Sequence, residues 1–160
     1  MNFDAIRRLL EPVTRRVLHF YWRFSRGVTL GVRAVVLDGS GRVFLIVHSY
    51  VPGWHLPGGG VEIGETAAAA LARELHEEGN IELTETPTLF GIYFNRRISR
   101  RDHVALYVVR SFRQDAPPQP NHEIIAHGFF APDALPAETT RATRERIAEV
   151  VSGRMPAELW

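Results

Sequence analysis

The 160-residue sequence contains no cysteine, which excludes disulfides, thiolate metal sites and cysteine nucleophiles and leaves the redox compartment undefined. Long apolar runs are also missing, and nothing approaches the roughly 20 residues that cross a bilayer. The N-terminus has no unbroken apolar stretch of the secretory type, so the expected location is the cytoplasm. Net charge is only +1, too small to attract nucleic acid or membrane globally, and no nucleic-acid partner is expected. What remains is an ordinary globular composition, 45% hydrophobic and 23% charged, at a length that suits one domain with a short appendage.

Residues 1–26 repeat apolar side chains three or four apart (Phe3, Ile6, Leu10, Val13, Val17, Phe20 or Tyr21, Phe24), with arginines mostly between them, the period of an amphipathic helix. Pro12 should kink it or start a second helix. The texture then changes. VTLGVRAVVLD (28–38) and RVFLIVHSY (42–50) are rich in β-branched residues, and the DGSG between them predicts a hairpin. VPGWHLPGGG is a loop, ETAAAALARELHEE is helix-forming from Thr66 onward, and TLFGIYFN (88–95) and HVALYVVRSF (103–112) read as strands around a basic loop. A Pro-rich loop, DAPPQPN (115–121), precedes a strand at EIIAHGFFA (123–131) and a closing helix over 140–153 with Gly153 as its C-cap. Mixed strands with helices between and after them imply an α/β layered domain, residues 27–160, behind a helical extension at 1–26.

The sequence RELHEEGN (73–80) sets Glu74, Glu77 and Glu78 side by side. At about 100° per residue they span roughly a 100° arc. The arc borders the sector of Ala68, Leu71, Ala72 and Leu75, the expected buried face. Glu74 and Glu78 are an i,i+4 like-charge pair near a helix C-terminus, unfavourable on both counts. Arg73 is placed to pair with Glu77, and a hard divalent cation would neutralise the remainder. Ala67 and Ala70 on the same side would leave room for a ligand. The competing reading is a solvated acidic face.

The wider spacing decides between them. Gly59, Glu65, Arg73, Glu74, Leu75, Glu77, Glu78 and Ile81 fill G-x5-E-x7-R-E-U-x-E-E-x-G-U, where U is aliphatic, with Asn80 standing in the last glycine position. This resembles the signature box of the Nudix hydrolases, and W-x-L-P-G-G-G (54–60) with EIIAHGFFAPDALP (123–136) is similar to the family's lead-in and late strand. Asn is the residue next most tolerant of the left-handed backbone that glycine would supply there.

The resemblance implies an α/β/α sandwich with a mixed sheet and a metal-dependent pyrophosphohydrolase. Such an enzyme hydrolyses a diphosphate linkage in a nucleoside diphosphate joined to another moiety, such as a nucleotide sugar or ADP-ribose. Alternatives are a housecleaning hydrolase of non-standard nucleoside triphosphates and a non-catalytic nucleotide- or RNA-binding module. By position, the resemblance makes Glu77, Glu78 and the Gly58 carbonyl Mg²⁺ ligands, with Mn²⁺ as a substitute. Glu74 becomes a further ligand or the water-activating base, Arg73 holds Glu77, and Gly59 and Glu65 shape the loop. Glu123, next to His122, is the candidate base outside the box, against a plain strand-edge charge.

Arg96, Arg97, Arg100 and Arg101 cluster in one loop, where guanidinium forks suit phosphate oxygens of a small-molecule nucleotide. Tyr50, Trp54 and Tyr93 could stack on a base, although packing is the commoner use of such aromatics. The extension at 1–26 has three readings: it covers its own domain, as most amphipathic helices do, forms a homodimer contact, or lies on an anionic membrane surface.

Overall fold

Apolar side chains line both faces of the central strands, and the two sets face opposite helices. The computed structural model describes residues 3–119 and 122–160, apart from the side chains of 3–10, 13 and 23; the last two residues of DAPPQPN thus lie outside it. Along the chain run α1 (Phe3–Ser25), β1 (Thr29–Val36), β2 (Val43–His48), α2 (Ala67–Gly79), β3 (Glu82–Leu83), β4 (Thr88–Phe94), β5 (Asp102–Val109), β6 (Phe112–Arg113), β7 (Ile124–Phe130) and α3 (Arg141–Ser152). Strands β1, β5 and β4 form one sheet in that order, β1 parallel and β4 antiparallel to β5. β2 pairs antiparallel with β7, and β3 with β6.

Side-chain alternation with period two explains the layering. Val32, Ala34 and Val36 of β1, Phe44 and Ile46 of β2, and Ala105, Tyr107 and Val109 of β5 pack with Ala70, Leu71 and Leu75 of α2. Val35, Val43, Leu45 and Leu106 pack instead with Ile147 and Val150 of α3. The result is the expected α/β/α arrangement. Both long helices of the body are capped as their sequences suggest. Thr66 and Thr140 accept from the amides of Ala69 and Thr143, and Asn80 and Gly153 close the C-termini in the left-handed region (φ 50° and 65°).

Two expectations need correction, and two of the alternatives left open fall away. The DGSG turn forms, with Gly41 N–H donating to the Asp38 carbonyl, but β1 and β2 do not continue as a hairpin. Beyond the Leu37–Val43 bridge each finds a more distant partner, β5 or β7, and α2 and α3 cover the two faces. HVALYVVRSF also breaks at Arg110–Ser111 into two strands belonging to different sheets. Pro12 starts no second helix; it lies inside one that runs from Phe3 to Ser25. Nor does that helix cover its own domain through the described side chains, since Val17, Phe20, Tyr21 and Phe24 are all more than 60% exposed.

The lead-in loop binds the two main sheets together. Val32 and Ala34 N–H of β1 donate to the carbonyls of Gly59 and Pro57, and Val61 N–H donates back to Leu30. On the other side Ile46 of β2 exchanges both backbone hydrogen bonds with His55. WHLPGGGV is thus laced along two strand edges and delivers the glycines to the C-terminal half of α2.

Candidate active site

Phase decides which acids of α2 meet the sheet. The buried stripe is Ala70, Leu71, Leu75, Glu78 and Gly79; Ala68 is exposed and Ala72 only half-buried, so the stripe is rotated from the expected sector toward the acids. Ala70 is core and Ala67 packs against it, so neither leaves space for a ligand. Glu78 lies inside the domain rather than at its edge, 4% exposed. Its Oε2 accepts the Gly58 amide at 2.6 Å and its Oε1 lies 3.6 Å from His48 Nε2. Burial pushes its pKa up to about 8, against the opposing pull of the Gly58 amide and Arg33.

His48 escaped the sequence reading. The signal was present: Phe44, Ile46 and His48 alternate toward α2, so the third member had to face that helix. His48 is buried, and its Nδ1 has no hydrogen-bond partner among the described residues. Burial, with Arg33 nearby, pushes its pKa down and leaves the ring neutral and able to donate a lone pair. Glu123, just before β7, completes the group: one donor atom each from His48, Glu78 and Glu123 lies within 4.8 Å of the others. Tyr50 fixes Glu123 from the side, its hydroxyl donating to Oε1 at 2.9 Å.

Glu74 and Glu77 are held differently. One Arg73 guanidinium donates to Glu74 at 2.8 Å, Glu77 at 3.3 Å, both Glu65 oxygens at 3.2 Å and the Gly60 carbonyl at 3.2 Å. Arg73 therefore joins the glycine loop to three carboxylates, and its hydrogen bonds to Glu65 hold that acid below the usual carboxylate range. Glu77 is more than half exposed, whereas the Glu74 side chain is 14% exposed and lies so close to Gly59 that a methyl group there would overlap its carboxylate. Gly58 and Gly59 are thus gripped from α2 by Glu78 and Glu74 in turn.

A cleft of about 540 Å³ opens over this loop, within the range of small-molecule sites. Arg33, His48, Tyr50, Gly59 and Gly60 line it together with Asn95, Arg97, Asp102 and Trp160. Of the four loop arginines only Arg97 reaches the cleft; Arg96, Arg100 and Arg101 are exposed outside it. Arg33 was not among the expected residues, because a single arginine within a strand carries no local signal. Tyr50 borders the cleft, but Tyr93 is buried with its hydroxyl on Glu149 and Trp54 packs edge-on to Phe130, so those two cannot stack on a base.

The pattern of NUDIX domains matches residues 27–150. The chain belongs to the NUDIX family. A MutT-like protein of Streptomyces ambofaciens is 30% identical over 128 residues, 80% of each chain. The crystal structure of a MutT NUDIX hydrolase from Burkholderia pseudomallei superimposes with a TM-score of 0.65 at 30% identity, covering 76% of this chain and 97% of that one. An RNA pyrophosphohydrolase of Dinoroseobacter shibae is 42% identical over 60 residues, 36% of this chain and 38% of its own. This NUDIX protein is a pyrophosphohydrolase, and its family generally needs a divalent metal.

Proposed function

We propose that the cleft hydrolyses a diphosphate linkage in a small nucleotide, a nucleoside diphosphate joined to a second moiety, with a divalent cation held beside Glu78. The carrying observation is the buried Glu78 carboxylate, fixed by the Gly58 amide and grouped with Glu123 and with His48, which itself lines the cleft. Among the described residues no arginine forms an ion pair with it. Carboxylate oxygens fit Mg²⁺, and a set that adds an imidazole fits Mn²⁺ better, so Glu78 would hold the ion, with His48 as a further donor to Mn²⁺ and with Glu74, Glu77 and the Gly58 carbonyl as the ligands suggested by position in the box. Such an ion supplies charge neutralisation on the bridging oxygens and a more acidic water.

The chain's own groups supply the remainder. Glu123, oriented by Tyr50, is the proton acceptor for the attacking water, with Glu74 as the alternative. Arg33 and Arg97, both lining the cleft, meet anionic oxygens, and Trp160 offers an apolar surface to the substrate. Arg73 positions Glu74 and Glu77 without touching substrate. Arg73→Ala should lower turnover about 10–100-fold, as losing a residue that orients ligands does. Arg73→Lys recovers only part, because a point charge cannot reproduce a fork shared among three carboxylates.

A second reading has its own support. A putative 8-oxo-dGTP diphosphatase of Bacillus subtilis is 33% identical over 76 residues, 48% of this chain and 50% of its own, which favours a nucleoside triphosphate, including a damaged one, as substrate. A panel of nucleotide sugars, ADP-ribose, dinucleoside polyphosphates and normal and oxidised triphosphates, incubated with Mg²⁺ or Mn²⁺ and analysed by mass, separates them. A mononucleotide plus phosphoryl-X supports the first reading; a mononucleotide plus pyrophosphate supports the second. In both, EDTA abolishes product. No hydrolysis across the panel, together with salt-sensitive RNA binding, would turn the assignment to a binding module.

A further inference from the structure

The proposed chemistry makes no use of α1. In the sequence, Leu9, Val13, Val17, Phe20 and Phe24, together with Phe3, Ile6, Leu10 and Tyr21, fall within an arc of about 120° that contains no polar residue between Phe3 and Arg26. Six arginines (7, 8, 15, 16, 23 and 26) occupy the flanks and opposite side against only two acids, Asp4 and Glu11. The remainder of the chain carries more acids than arginines, so the positive charge belongs to the helix. Among the described side chains of the stripe, Val17, Phe20, Tyr21 and Phe24 are between 62% and 68% exposed, and Arg15, Arg16 and Arg26 are exposed with them. Phe20 and Phe24 touch edge to face, 5.0 Å apart, forming a contiguous aromatic ridge.

We propose that α1 lies in the plane of an anionic lipid surface, with Val17, Phe20, Tyr21 and Phe24 in the acyl boundary and the arginines at the phosphates. Charge complementarity selects this occupant. A second copy would set two strongly cationic helices against each other, with only Asp4 and Glu11 from each side to offset them. RNA would satisfy the arginines but leave the aromatic ridge in water. A bilayer interface takes both faces at once. No described helix is long and apolar enough to cross a membrane, so the contact is one leaflet deep. At 23 residues the helix gives a footprint about 35 Å long.

The test is flotation of the full-length protein with vesicles of phosphatidylcholine alone or doped with phosphatidylglycerol, at low and high salt. Binding to the doped vesicles, at least tenfold tighter than to the neutral ones and weakened by salt, is expected. Arg15→Gln with Arg16→Gln should weaken it roughly thirtyfold. Phe20→Glu with Phe24→Glu should abolish flotation while leaving near-ultraviolet dichroism and nucleotide hydrolysis unchanged, which separates lost docking from lost folding. Failure of the wild type to float with doped vesicles overturns the proposal, as does flotation that survives the paired Phe→Glu change. A dimer in light scattering that this change disperses, without any flotation, assigns the ridge to a second copy instead. RNA retention by the paired variant, again without flotation, assigns the arginines to nucleic acid.

Discussion

Glu78→Gln removes hydrolysis and at the same time makes the metal-free protein harder to unfold at alkaline pH. The two effects have one origin. A carboxylate 4% exposed and facing a buried imidazole is unfavourable when charged without a cation, which is why its pKa stands near 8. The folded value lies above the unfolded one, so this group's contribution to stability is fully present below about pH 4.5 and is lost as pH rises through about 8. Metal-free wild type should therefore lose up to about 3–4 kcal/mol between pH 5 and pH 9, and the glutamine variant should show a flatter profile. Added Mg²⁺ or Mn²⁺ should restore wild type at pH 8, with release of a proton on binding, and leave the variant's melting temperature where it was. Turnover in the variant should fall at least about 10³-fold, the scale of losing a metal-held reaction centre. Thermal melts across that pH range, with and without metal, check the pair. A variant that melts like wild type at pH 9 without metal would mean that Glu78 is not buried as a charge.

That coupling bears on how much of the site was legible in the sequence. The acid cluster, Arg73 and Glu65 stand at fixed intervals on one loop and helix, and local spacing of that kind survives folding. Asn80 was readable for the same reason, since the residue after a helix end meets a backbone requirement set within one turn, and it does adopt φ 50°. The helix phase was less secure. Five alanines and two leucines give a weak apolar face, and a rotation by one position exchanges Ala68 for Ala70 and brings Glu78 indoors.

Long-range pairing was the least visible. The DGSG turn says that the chain reverses, not that its two arms bond to one another; β1 and β2 separate because β5 and β7, far along the sequence, offer longer ladders. His48 became readable only once β2 was known to run beneath α2, and Arg33 only once β1 was known to border the cleft. The expected base and the expected ligands also arrived in a different grouping. Glu123 joins Glu78 and His48 in one cluster, whereas Glu74 and Glu77 share Arg73.

Gly58 and Gly59 are adjacent, and an added methyl group should have opposite consequences at the two positions. Gly58 has φ +134°, and a Cβ there would overlap the Val32 carbonyl and press on the Arg33 backbone, neither of which can yield without breaking the edge of β1. Gly58→Ala should cost more than about 4 kcal/mol, lowering the melting temperature by at least about 10 °C or leaving insoluble protein. At Gly59 the methyl would meet the end of the Glu74 side chain, which can swing aside by giving up its 2.8 Å contact with Arg73. Gly59→Ala should therefore fold, melt within about 5 °C of wild type, and lose roughly 100-fold in turnover because Glu74 no longer stands where Arg73 held it. Melting curves and single-substrate kinetics on the two variants distinguish the roles. Wild-type turnover in Gly59→Ala would remove Glu74 from the working part of the site, and a wild-type melt in Gly58→Ala would contradict the lacing of the glycine loop along β1.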